Sequence, residues 1–271
     1  MTQVALVTGG TGTLGRQVVP HLRDAGRAVR VLSRHRREVR DGIEYVTGDL
    51  ATGEGIEAAV EGAELIVHCA GGAKGDGDKA RTLVRAAARA GTRHLVFISV
   101  VGADQIPVVS GVDRAMFGYF ASKGAAEQVV AGSGLPWTTM RATQFYDVIL
   151  LVARQMARLP VIPFPSGFRF QPVDSGEVAA RLAELALGSP SGLVPDIGGP
   201  VIYDADELIQ GYLRANHQRR PLIPVWLPGK AARAVRDGAN LAPGRAVGRQ
   251  TWEDFLAGRV SATSGSAPSL R

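Results

Sequence analysis

The stretch "LVTGGTGTLGRQVV", residues 6–19, sets Gly9, Gly12 and Gly15 at a spacing of three between an apolar run and an amphipathic one. Glycines at a helix start cost conformational entropy, so they serve either an awkward turn or a very close approach to the backbone. A strand before and a helix after are the context that a dinucleotide-phosphate loop requires. In that reading Gly9 makes the tight turn, Gly12 opens the backbone to a pyrophosphate, and Gly15 lets the helix close on the strand. The backbone around Thr11, Thr13 and Leu14 then presents its amides to the phosphates at the helix N-terminus.

Outward from this stretch, apolar runs alternate with helical patterns. Residues 3–8, 28–33, 43–47, 64–69, 94–99 and 137–142 read as buried parallel strands, and 13–24, 53–61, 77–91 and 115–132 as helices. Such alternation predicts an α/β fold, a Rossmann-type doubly wound parallel sheet with right-handed crossovers. After about residue 146 the pattern changes: Asp174 with Glu177 and Asp204 with Glu207 have capping-box spacing, and prolines cluster at the joints. This predicts a nucleotide-binding domain over 1–146 and a smaller, mainly helical substrate region over 147–260, interleaved with the sheet. A flexible tail is expected over 261–271.

Composition narrows the function classes. The 271 residues are 45% hydrophobic, enough for a sizeable core. No apolar run reaches the length of a membrane span, and the N-terminus has no secretory pattern. The single cysteine, Cys69, excludes an internal disulfide. These features predict a soluble cytoplasmic protein. The net charge of +6 comes from scattered arginines rather than one basic face, against nucleic-acid binding. No histidine spacing suggests a metal, and none is expected.

The one dense basic run, Ser33-Arg34-His35-Arg36-Arg37, follows the second strand. An NAD site places a carboxylate there against the ribose 2′-hydroxyl, whereas a guanidinium clamps a 2′-phosphate. Ser33 and Arg34 therefore predict NADP(H) over NAD(H), with a solvated basic loop as the alternative.

"TGGTGTLG" at 8–15, with "GDL" at 48–50, "CAGG" at 69–72, "SGLPWTTMRATQF" at 133–145 and "TWEDFL" at 251–256, resembles the short-chain dehydrogenase/reductase superfamily in its extended and atypical branches, the NmrA-like proteins among them. The resemblance spans roughly residues 3–260. It implies that Asp49 and Leu50 border the adenine, and that Cys69, Ala70 and Gly71 line the ribose and phosphate path. Gln144, Phe145 and Tyr146 would lie at the nicotinamide and substrate.

In "GYFASKGAAEQVV", Tyr119 and Lys123 are four residues apart and share one helical face. The resemblance makes them an acid/base pair, with Lys123 favouring the ionised phenol and holding the nicotinamide ribose. An ordinary amphipathic helix is the alternative. One position departs from the superfamily. The strand-tip serine falls on Val100, one residue after Ser99. Strand alternation sends the two to opposite faces, so Ser99 is expected either to polarise the substrate oxygen or to support the cofactor side. Ser110 and Thr143 are further substitutes. The connection over 101–118 is long enough for a lid.

The function so implied is an NADPH-dependent oxidoreductase acting on a carbonyl or quinone-like compound, apolar to judge from "VILLVARQMARLPVIPF" at 148–164. The alternatives are a non-catalytic NADP-binding regulator and a nucleotide-sugar epimerase or dehydratase. The small-residue face of "DKARTLVRAAARAG" at 78–91 is expected to pair two subunits in a homodimer, with covering the sheet as the alternative.

Overall fold

The computed structural model describes residues 3–72 and 74–264. Six parallel strands follow the apolar runs: β1 (Val4–Thr8), β2 (Ala28–Ser33), β3 (Glu44–Thr47), β4 (Ala63–His68), β5 (His94–Val100) and β6 (Trp137–Ala142). With β9 (Gly192–Leu193) they form one seven-stranded sheet in the order β3-β2-β1-β4-β5-β6-β9. The chain winds outward from β1 to β3, then crosses back to β4 beside β1. That reversal leaves a crevice beyond the carboxyl ends of β1 and β4, where such sheets hold ligands.

Helices α1 (Gly15–Asp24), α2 (Ile56–Val60), α3 (Asp76–Arg89) and α4 (Gly111–Ala131) link these strands. One face of the sheet buries Val7, Val31, Val67, Val96 and Ile98 with Val18 and Leu22 of α1 and with α6 (Ser175–Leu187). The other face buries Leu6, Ile66, Leu95 and Phe97 under α2, α3 and α4. Thus α6, sequentially in the substrate region, packs as a layer of the nucleotide domain.

Ala80, Ala86 and Ala87 of α3 are buried in this second core. The small-residue face expected to pair two subunits is therefore spent within the chain.

The remaining elements build a cap. It comprises α5 (Tyr146–Met156), the parallel pair β7 (Ile162–Pro165) and β11 (Leu222–Val225), and the antiparallel pair β8 (Arg169–Phe170) and β10 (Tyr203–Asp204). Three helices complete it: α7 (Ala205–Ala215), α8 (Lys230–Arg236) and α9 (Trp252–Ser264). Its core stacks Trp252 on Tyr146 and Phe255, and the Trp252 indole N–H donates to Leu208 O at 3.0 Å. A second apolar cluster joins the cap to α4 through Phe117, Phe168, Ala231 and Val235.

Three expectations change here. Tyr146, expected at the substrate, is fully buried in the cap core, and its hydroxyl donates to Gln250 O at 2.7 Å. Residues 261–264 continue α9 rather than starting a tail, while 265–271 lie outside the described residues. Helix α4 begins four residues before its expected start, because the Ser110 hydroxyl accepts from the Asp113 N–H and the Asp113 carboxylate accepts from the Ser110 N–H. This capping box shortens the expected lid to residues 101–110. Among the described residues no helix is long and apolar enough to cross a membrane.

Candidate active site

The glycine loop is shaped by backbone contacts. Gly9 holds φ +69°, and a Cβ there would stand 2.6 Å from Ala70 N in the loop after β4. A Cβ on Gly15 would run into Gly9 O, so α1 starts against the turn itself. Gly12 meets only Gly9 O, at 3.2 Å, and is open toward the crevice. Helix α1 carries no side-chain cap and no acid in its first turn. Its amides around Thr11, Thr13 and Leu14 thus stay available to an anion, favoured by the helix dipole.

Along the same edge, Ser33 is buried and its hydroxyl donates to His35 O at 2.8 Å, turning the chain outward. Arg34 is exposed, without an ion-pair partner among the described residues. Asp49 folds back to accept from Ala51 N–H at 2.8 Å, and Leu50 is buried beside it in the α2 core. Uncapped amides, open backbone at Gly12 and a free guanidinium fit a dinucleotide carrying a 2′-phosphate.

The second half of the site hangs from α4. Lys123 is 4% exposed, donates to Ile98 O at 3.1 Å, and lies 3.6 Å from an Asp76 carboxylate oxygen. A Cβ on Gly71 would stand 2.7 Å from the Lys123 ammonium. The loop after β4 therefore touches the glycine loop through Ala70 and Lys123 through Gly71. Asp76 is fully buried; it accepts from Gly72 N–H at 3.0 Å and pairs with Lys79 at 3.2 Å. Tyr119 keeps 42% of its surface exposed, one turn before Lys123, with the ammonium 6.0 Å from its ring centre. Desolvation, then the Asp76 carboxylate, push its phenol up to about 12. Lys123 was expected to lower it; the shift runs the other way, set first by burial and then by the Asp76 charge. The phenol stays protonated at neutral pH.

The β5 tip has two faces, and packing assigns them. Ser99 shares its face with Leu95 and Phe97, and its register partner Arg141 reaches Glu127 of α4 at 2.6 Å. Ser99 therefore lies on the Lys123 side, and Val100 faces the other way with Val96 and Ile98. The Ser99 hydroxyl is buried without a hydrogen-bond partner. Beside it, His68 stacks on Phe97 and meets Thr8 Oγ1 at 2.6 Å. Burial, with help from Lys123 and Lys79, lowers His68 to about 3, so it is neutral. Burial pushes the Cys69 thiol up to about 12, which removes it as a nucleophile.

Of the other hydroxyls considered, Ser110 caps α4 and Thr143 donates to Gln171 O at 2.5 Å, so both serve structure. Gln144 precedes α5 with both amide atoms buried and unpartnered, and Phe145 packs onto the sheet core beside it. An unpaired donor and acceptor on one side chain match the complementary pair of a carboxamide. Asp76 was missed in the sequence, and Ser110 was read there as a substitute polarising hydroxyl rather than as a helix cap. The capping role of Ser110 had a signal, the Ser-x-x-Asp spacing; Asp76 had only the i,i+3 spacing to Lys79, because Lys123, Ser122 and Gly72 lie on another helix and another loop. Among the described residues no group of His, Cys, Asp or Glu is able to hold a metal ion.

A family model described as NAD(P)H-binding matches residues 9–149, from the first glycine into α5. The chain belongs to the NAD(P)H-binding family. Its resemblance to extended and NmrA-like short-chain dehydrogenases/reductases agrees with that membership, and NAD(P)H is the cofactor of this fold. The NADPH-dependent quinone oxidoreductase of Escherichia coli, solved with NADPH, has the same fold. Its TM-score is 0.78 at 17% identity, over 94% of this chain and 99% of that one.

Two curated reductases are similar in sequence. The (4-alkanoyl-5-oxo-2,5-dihydrofuran-3-yl)methyl phosphate reductase of Streptomyces griseus is 34% identical over 143 residues, 52% of this chain and 47% of that protein. The ceramide reductase of Caulobacter vibrioides is 31% identical over 211 residues, 70% of this chain and 63% of that protein. The chain thus spans less than two thirds of these relatives' lengths.

Proposed function

We propose that this family member is an NADPH-dependent reductase of a small, apolar carbonyl or quinone-like substrate, with Tyr119 as proton donor. The observation that carries the reading is the run of contacts from Gly9 through Ala70 and Gly71 to Lys123. It joins the phosphate cradle to the Tyr119–Lys123 helix across one crevice. Three named reductases among the similar proteins support it.

The cofactor, when bound, supplies the hydride. The chain's own residues bind, orient and protonate. Arg34 clamps the 2′-phosphate, Asp49 and Leu50 flank the adenine, and Cys69, Ala70 and Gly71 wall the ribose path. Gln144 pairs the carboxamide, with Phe145 beside it, and Lys123 holds the nearby ribose. Tyr119, protonated at neutral pH, gives its proton to the substrate oxygen. Val112, Met116 and Tyr119 form an exposed stripe at helical spacing that ends at Lys123, an apolar wall suited to an apolar substrate. Ser99 supports this site from below the strand tip.

One observation favours a non-catalytic NADP-binding regulator: the hydroxyl near the β5 tip, on Ser99, is buried at 4% exposure. NADPH oxidation measured against a panel of quinones, enones and ketones separates the two. Turnover that Lys123→Ala lowers together with NADPH affinity supports the reductase. NADPH binding with no turnover on any member of the panel supports the regulator.

A further inference from the structure

We infer that Asp76 is the positioning residue of this site: its carboxylate is the counter-charge that keeps Lys123 cationic where water does not reach. The inference rests on the proposed use of Lys123 at the cofactor, but the charge pair beneath it is measurable without cofactor.

The geometry is that of a buried hub. Asp76 is fully buried and Lys123 nearly so, 3.6 Å apart. The Asp76 carboxylate also accepts from Gly72 N–H and from Lys79, and its own N–H donates to Ser122 Oγ on α4 at 3.0 Å. One residue thereby ties the loop after β4, the start of α3 and the middle of α4 around two ammonium groups, of which Lys123 is the buried one.

The groups facing Lys123 can be named from every side. Asp76 and Lys79 face it from α3, His68 and Cys69 from the end of β4, and Tyr119 from its own helix. From β5 come the Phe97 ring, 4.9 Å away, and Ile98 O. His68 is neutral, and Cys69 and Tyr119 are protonated. Asp76 is therefore the one anion of the set. Desolvation drives Lys123 toward the neutral amine, Asp76 opposes it, and Lys79 adds to the desolvation. Without the carboxylate, the Ile98 carbonyl is the contact that still favours the ammonium, and it carries no compensating charge. An opposite charge at this range is worth about 1–3 pK units. A purely structural Asp76, bonding Gly72 and favouring the start of α3, would leave Lys123 untouched.

The test follows NADPH affinity by fluorescence titration from pH 6 to 10, in the wild type and in Asp76→Asn. Asparagine keeps the size and the acceptor for Gly72, so a structural role changes affinity equally at every pH. The inference expects the alkaline loss of affinity to begin about 1–3 pH units lower in Asp76→Asn; superimposable pH dependences overturn it.

A second measurement needs no cofactor: denaturant unfolding at pH 7 of the wild type, Asp76→Asn, Lys123→Met and the double variant. The inference expects the double variant to be more stable than Asp76→Asn, since methionine removes the stranded charge. Additive losses overturn it. If Asp76→Asn does not fold, a folded double variant supports the inference and an unfolded one overturns it. A coupled cycle with Lys123→Met still binding NADPH like the wild type removes the cofactor role of Lys123 and leaves the charge pair standing.

Discussion

The glycine loop and the Lys123 segment of α4 border the same crevice and are built on opposite principles. The loop is backbone: Gly9 at positive φ, Gly15 against Gly9 O, and a helix start with no side-chain cap. The α4 segment is side chains: a buried ammonium, a buried carboxylate and a phenol held above its usual range. In the first, substituting a glycine changes what the backbone is able to adopt. In the second, substituting a residue leaves the backbone alone and strands its partners. Damage to the loop should thus appear as lost stability and binding together, and damage at Tyr119 as lost chemistry alone.

The largest expected effect tests the chemical half. Tyr119→Phe keeps the ring and removes the proposed proton donor, so turnover should fall by roughly 10²–10⁴-fold, the usual worth of a positioned acid. NADPH affinity and the unfolding midpoint should stay near wild type. A variant that keeps wild-type turnover, in an assay where chemistry limits the rate, assigns the proton to another donor.

Next is the backbone half. Gly9→Ala puts a side chain at positive φ and 2.6 Å from Ala70 N. Left-handed strain and overpacking together should cost about 2–5 kcal/mol, read by denaturant unfolding. A wild-type midpoint would show the turn to be adjustable and break the contrast with α4.

Arg34→Ala should act only on cofactor choice. A charge-assisted contact of about 1.5–3 kcal/mol is lost to NADPH and not to NADH. The ratio of their dissociation constants should shift by roughly 10-fold or more, with stability unchanged because Arg34 is exposed. An unchanged ratio assigns the 2′-phosphate to another group. Smallest is Ser110→Ala, which removes the α4 cap for about 1 kcal/mol of stability. It should leave NADPH affinity alone, since Lys123 lies more than three turns further along the helix; a loss of affinity would tie the α4 start to the site.

Legibility in the sequence followed the same division. The six strands of 1–142 and the glycine turn were readable because period-2 burial and the φ limits of glycine act on each residue where it stands. The cap was less so: Tyr146 was expected at the substrate, yet its partners Trp252 and Phe255 lie a hundred residues on, at the far side of a core that no local pattern describes. The face of Ser99 was left open for a related reason. Alternation says that Ser99 and Val100 point apart, but only the packed α4 says which face is the active one.

By itself, the sequence determined the doubly wound sheet, the phosphate turn, the NAD(P)H cofactor and the four-residue spacing of Tyr119 and Lys123, since each depends on periodicity, on single-residue conformational limits or on a short local motif. Only the tertiary structure decided that Lys123 is buried, that Asp76 faces it, that Ser99 lies on its side of the sheet and that the phenol pKa rises rather than falls. The reason is physical. Desolvation and charge pairing depend on which groups meet in space, and here they are brought together by α3, β5 and α4 from three separate stretches of chain.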